Sequence, residues 1–191
     1  MSGYNTYMST RATYFHRAVT AFATAFLSVQ AFADPADPAL FETLAKTQGD
    51  GWIEAEARIL TAWAETGSEA LNLLQSRGES AIDEGDFGAA IGHLTALLDH
   101  APDHAMGYQL RALAYWSNGD FGPAAADLAQ ALTLEPKQYL ALAQLSAMLD
   151  EIGSRERALE AVQMSLEINP HQQDVKDAVA LLDTGEDGTD I

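Results

Sequence analysis

Carboxylates are the most abundant reactive groups in this chain: 28 Asp and Glu stand against 10 Lys and Arg, five His and no Cys in 191 residues. Two acidic runs, Asp83-Glu84-Gly85-Asp86 and Asp150-Glu151, have the donor atoms a divalent cation wants. Both fall where helices are expected to end, and there the macrodipole disfavours anions by ~0.3–1 kcal/mol each. Solvated, solubilising helix ends are the simpler reading. Asp183-Thr184-Gly185-Glu186-Asp187-Gly188 opens like a calcium loop, but the closing bidentate Glu does not follow. His93, His100, Asp103 and His104 cluster in sequence with zinc-ligand chemistry. Nothing aims His93 and His100 at one centre, so exposed turn histidines are expected. Without Cys there is no thiolate nucleophile, disulfide or Cys-ligated zinc. No Gly-x-Ser-x-Gly elbow occurs, and no phosphate-cradling glycine loop precedes a helix. The expectation is a non-catalytic protein with no metal and no cofactor.

The charge balance narrows the partners. A net charge of −18 argues against phosphate-backbone ligands, whose affinity comes largely from Lys and Arg neutralising phosphates, and equally against anionic membrane surfaces. At 48% apolar and 20% charged residues the chain should fold as one domain of ordinary size. Residues 1–33 hold Arg11 and Arg17 and no acidic residue, so residues 34–191 hold 8 Lys and Arg against 28 Asp and Glu, a net of −20. The basic start leads into the uncharged, mostly apolar run Ala18 to Leu27, and Ala31-Phe32-Ala33 precedes Asp34-Pro35. That order is the n-region, h-region and A-x-A site of a secretory signal. An uncleaved anchor or a buried helix is the alternative, for which the run is short. Residues 1–33 are therefore expected to be a cleaved signal peptide of the general export pathway, with Met8 as a second candidate start. Export would leave a soluble, periplasmic protein with no membrane insertion.

The remaining residues must be positioned by local structure, and that structure is periodic. Pro102, Pro136 and Pro170 are 34 residues apart, as are Gly85, Gly119 and Gly153. Ala90, Ala124 and Ala158 repeat with them, as do Leu94, Leu128 and Val162, and Leu98, Leu132 and Leu166. Each unit reads as two helices. Tyr108, Arg111, Ala112 and Tyr115 share one helical face, and Asn118-Gly119 ends that helix because Gly tolerates the left-handed conformation. Asp120 is placed to cap the next helix, with Ala124, Leu128, Ala131 and Leu132 on its inward stripe. Glu135-Pro136 closes the unit. One helical pair cannot bury both inner faces, so the units must stack.

These columns resemble the tetratricopeptide repeat family, whose signature has Trp, Leu, Gly and Tyr-like positions at 4, 7, 8 and 11, Ala at 20 and 27, and Pro at 32. Placing the prolines at 32 gives units 71–104, 105–138 and 139–172. The first matches at Leu74, Gly78, Ala90 and Pro102. The second matches at Tyr108, Ala112, Tyr115, Ala124, Ala131 and Pro136. The third matches at Leu142, Leu145, Ser146, Ala158 and Pro170, with Ser165 where Ala is usual. Position 24 is aliphatic throughout. The resemblance implies an all-α, right-handed superhelical solenoid of stacked helix-turn-helix repeats. Residues 34–70 are expected to be a degenerate repeat or an N-terminal cap; Gly51 and Leu60 fit the register, whereas Glu56 stands where small Ala belongs. Residues 173–183 are expected to form a capping helix through Val175, Ala178, Val179 and Leu182, and 184–191 a disordered acidic tail.

The resemblance also implies a concave wall built from the first helix of each unit, which grips a protein or peptide. It places there Asn72, Gln75, Glu79 and Ile82; Met106, Gln109, Leu113 and Trp116; and Leu140, Ala143, Ala147 and Asp150. The wall has no Lys or Arg with which to clamp a C-terminal carboxylate. Helix 105–117 is apolar nearly all round, so its second stripe of Met106, Leu113 and Trp116 must be covered. A partner anchored on Trp116 and a terminal segment of the chain itself both answer that need. The expected function is a protein- or peptide-binding adaptor in the bacterial envelope. The alternative is a self-associating module whose groove is a homodimer seam.

Overall fold

The computed structural model describes the backbone of residues 36–47 and 49–184 and side chains as far as Ala180. The expected export segment and acidic tail lie outside these residues, apart from Thr184, which closes the last helix. The described residues are helical without strands. The helices are α1 (Pro38–Lys46), α2 (Gly51–Ala64), α3 (Glu69–Asp83), α4 (Phe87–His100), α5 (Ala105–Ser117), α6 (Phe121–Leu134), α7 (Tyr139–Glu151), α8 (Arg155–Ile168) and α9 (Gln173–Thr184).

The glycine column has one cause. Gly85, Gly119 and Gly153 take φ of 74°, 84° and 75°, and each ends a first helix in the same two-bond motif. At Gly119 the Asp120 N–H donates to Tyr115 O (2.8 Å) and the Gly119 N–H to Trp116 O (2.9 Å). Asp86 to Ala81 O and Ser154 to Leu149 O repeat the outer bond, both at 2.8 Å. This pairing satisfies carbonyls that a helix end leaves open. The next helix then starts at once. Asp86 caps α4, its Oδ1 accepting from the Ala89 N–H at 3.0 Å. Asp120 does not cap α6 in this way; its Oδ2 accepts instead from Asn118 Nδ2 at 2.7 Å, a local bond that competes with the cap.

Three hairpins result, α3–α4, α5–α6 and α7–α8, and they pack in sequence, α4 on α5 and α6 on α7. Small residues set how closely the two helices approach. A Cβ on Gly78 would lie 2.7 Å from Leu94 Cγ, and Ala90, Ala112, Ala124 and Ala158 are fully buried. Where Ser replaces a small apolar residue, its hydroxyl finds a backbone carbonyl. Ser146 Oγ donates to Ala158 O and Ser165 Oγ to Tyr139 O, each at 2.8 Å. Burial of a polar group is thereby offset. Leu94, Leu97, Leu128 and Leu142 fill the space between helices, each burial stabilising by ~1.5–3 kcal/mol.

The N-terminal hairpin α1–α2 behaves differently. Both helices lie within the 34–70 stretch expected to be a degenerate repeat or a cap, but α2 packs on α5 and α1 on α8. The hairpin folds back over the second and third repeats, whereas a fourth repeat would stand ahead of α3. Phe41, Leu44, Ala55, Ile59 and Trp63 form a core with Met106 and Tyr139, edged by Leu110, Leu140 and Ile168. At the other end α9 packs on α8.

Candidate functional site

The first helices α3, α5 and α7 lie side by side and carry the inner-wall residues. The floor of the wall is polar and its side chains bond in pairs, leaving the buried Gln144 Nε2 without a hydrogen-bond partner. Gln109 Nε2 donates to Gln144 Oε1 at 2.8 Å. Gln75 Nε2 donates to Glu79 Oε1 at 3.0 Å, so its Oε1 faces His104 Nε2 at 2.7 Å. An amide oxygen only accepts, which puts the proton on Nε2 of His104. Burial lowers the His104 pKa below 6.5, with the Asp103 charge opposing, so the ring is neutral near pH 7. This corrects the expectation of an exposed turn histidine: His104 is buried, whereas His100 is exposed.

The stripe of Met106, Leu113 and Trp116 is divided. Its lower end is closed by the α1–α2 hairpin, which leaves Met106 only 8% exposed and covers the flank of Leu140. Met106 and Leu140 thus belong to an internal interface and do not offer themselves to a partner. Gln75 and Gln109 are buried and occupied by the bonds above. Asn72 is exposed, and its Oδ1 accepts from the Thr66 N–H (3.1 Å) and Thr66 Oγ1 (2.6 Å), pinning the turn before α3. The upper end differs. Leu113, Trp116 and Ala143 are half-buried and Ala147 is exposed. Trp116 Nε1 donates to Glu151 Oε2 at 2.7 Å, which fixes the indole toward the end of α7. Of the nine expected partner residues, these four form the accessible patch.

Polar contacts between distant parts of the chain latch the hairpin. Glu56 Oε1 accepts from Asn169 Nδ2 at 2.7 Å and from the Tyr139 hydroxyl at 3.1 Å. Burial, and then the Glu56 charge, push the Tyr139 pKa well above 10, so its hydroxyl remains a donor. Trp63 Nε1 donates to Glu135 Oε2 at 3.3 Å. His171 Nε2 donates to Leu44 O at 3.0 Å while its ring stacks on Trp52, centroids 4.4 Å apart. Lys137 Nζ sits 4.4 Å above the Phe41 ring, a favourable cation–π distance. Sequence reasoning missed this latch. Its one visible sign was Glu56, an acid in a column of alanines.

On the opposite side of α5, Arg111 ties three helices. It donates to both Asp127 oxygens (2.7 and 2.8 Å) and to Thr95 Oγ1 (3.1 Å), with Tyr108 and Tyr115 rings on either flank. Among the described residues no three His, Asp or Glu side chains gather to hold a metal, and no helix is long and apolar enough to cross a membrane.

No protein-family profile matches the chain. It is 28% identical over 120 residues to a TPR repeat-containing protein of Rhizobium etli, covering 63% of this chain and 59% of that protein. It is 29% identical over 107 residues to the small glutamine-rich tetratricopeptide repeat-containing protein 2 of Mycosarcoma maydis, covering 56% of this chain and 30% of that one. The chain therefore spans less than two thirds of either relative. Among solved structures, the Arabidopsis OM64 TPR domain superposes with a TM-score of 0.59 at 19% identity, over 62% of this chain and 98% of that domain. The TPR2B-domain:pHsp70-complex of yeast Sti1 gives 0.57 at 20%, over 62% and 100%. The first TPR of Spaghetti (RPAP3), bound to the HSP90 peptide SRMEEVD, gives 0.57 at 21%, over 60% and 90%. At such identities the likeness speaks for architecture, and it agrees with the glycine, alanine and proline columns: the chain has the tetratricopeptide-repeat fold, an all-α solenoid of stacked helical hairpins.

Proposed function

We propose that residues 34–191 are a non-catalytic protein- or peptide-binding adaptor, using the open upper half of the inner groove, in the bacterial cell envelope after export. One observation carries the reading. The wall of α5 and α7 leaves Leu113, Trp116, Ala143 and Ala147 accessible, directly beside a half that the chain closes with its own hairpin. An aromatic anchor in a concave apolar surface is a typical hot spot. One similar solved domain is bound to an HSP90 peptide and another is in a pHsp70 complex, which supports a protein or peptide as the occupant. The envelope location rests on the basic, apolar and Ala31-Phe32-Ala33 segments alone.

The test is retention of proteins from an envelope extract by residues 34–191, beside a Trp116→Glu variant that circular dichroism shows to be folded. A partner held by the first and lost by the second is the expected result. Equal retention by both would refute use of this surface. Light scattering on the same two proteins addresses the homodimer seam: a dimer that dissociates on Trp116→Glu would replace the adaptor reading. Export is tested by following the N-terminus of the protein recovered from the periplasm, which should begin at Asp34.

A further inference from the structure

We infer that the open half of the groove selects a cationic segment, a chain presenting Lys or Arg beside a large apolar side chain. This deepens the adaptor reading and rests on it. The order of residues across the wall points to such a ligand. At one level the three first helices present Glu79, Leu113 and Ala147; one turn further along they present Ile82, Trp116 and Asp150, with Glu151 adjoining. An apolar centre on α5 is thus flanked by carboxylates on α3 and α7. These wall columns contain no Lys or Arg, so the charges they themselves present to a ligand are negative.

Two of these carboxylates are held in place by neutral donors. Glu79 accepts from Gln75 Nε2 at 3.0 Å and Glu151 from Trp116 Nε1 at 2.7 Å. Each bond orients a carboxylate without neutralising it, and an ionised carboxylate keeps further lone-pair sites for an incoming N–H. Asp150 is exposed. The Trp116 face adds a surface that prefers cations to anions. An acidic ligand would meet like charges with no partner to relieve them, which makes the wall selective by repulsion as well as attraction. The net −20 of residues 34–191 steers a cation inward from a distance.

Fluorescence anisotropy with two labelled synthetic peptides, one of Lys, Leu and Ala and one with Glu in place of each Lys, tests this on residues 34–191. The Lys peptide should bind and the Glu peptide should not. Combining Glu79→Gln, Asp150→Asn and Glu151→Gln should weaken Lys-peptide binding about tenfold, the combined effect of three modest exposed ion pairs. Asp99→Asn, Glu156→Gln and Glu160→Gln make the same change in net charge on the second helices α4 and α8, and should leave binding within about twofold. Equal weakening by both triple variants would overturn the inference, because bulk charge would then explain the attraction. Equal binding of both peptides, lost on Trp116→Ala, would overturn charge selection while leaving the adaptor reading intact. Failure of the Lys peptide to bind would also overturn the inference, and the extract experiment would then decide the adaptor reading separately.

Discussion

Replacing Glu56 with Ala should release the α1–α2 hairpin from the repeats. In the folded chain Glu56 Oε1 accepts two bonds, from Asn169 Nδ2 at 2.7 Å and the Tyr139 hydroxyl at 3.1 Å. Hydrogen bonds to a charged acceptor contribute roughly 1.5–3 kcal/mol each. The two share one oxygen and are not additive, so a combined loss of about 3 kcal/mol is reasonable. Asn169 is fully buried and would lose this partner, which pushes the cost upward. Solenoid stability is a sum of local terms, so the loss should appear first as local opening of the hairpin. Amide hydrogen exchange reads this directly. Protection at Leu44 and Ile59 should fall by about 100-fold, the equivalent of that free energy, while amides of α5 and α6 change little. Glu56→Gln keeps an acceptor oxygen and should lose roughly half as much. A change below about fivefold in α1 and α2, equivalent to about 1 kcal/mol, would refute the latch and leave apolar packing as the cause of docking.

Four further outcomes follow from the geometry. Asp127→Ala removes both oxygens that hold Arg111 and leaves a half-buried guanidinium with Thr95, so stability in urea should fall by about 2 kcal/mol; an unchanged midpoint would show the ion pair to be neutral. His104 has its pKa depressed by burial, so the unfolded chain takes up that proton first. Stability should therefore decline as pH falls through 6.5 toward the folded value, and His104→Gln should reduce that slope; parallel stability–pH curves for the two proteins would contradict it. Gly119→Ala meets open space but a φ of 84°, costing about 1 kcal/mol by thermal unfolding. Gly78→Ala instead drives a Cβ to 2.7 Å from Leu94 and should cost ~1–3 kcal/mol by crowding.

Much of the architecture is legible in the order of residues. The helix-ending bonds at Gly85, Gly119 and Gly153 involve residues within five positions of each other, so a single glycine announces them. The alanine and leucine columns report the spacing of a helical face, and a pair of such faces requires stacking. The capping role expected of Asp120 fails for a local reason, since Asn118 two residues away engages the same carboxylate. The exposure expected of His104 fails for a distant one: turn position suggests contact with water, whereas its burial depends on Gln75, 29 residues earlier.

The inner wall shows the division most clearly. Its membership is periodic, and the sequence by itself determined that Met106, Leu113 and Trp116 form one stripe needing cover. Which part is covered, and by what, was decided only by tertiary structure. The latch joins Glu56 to Tyr139 and Asn169, and Trp63 to Glu135, across separations of 83, 113 and 72 residues. Periodicity encodes hydrogen bonds and faces within a turn or two of helix. It does not say against which of several similar apolar faces a hairpin will dock, because that choice depends on how shape and buried polar partners match once the repeats have stacked.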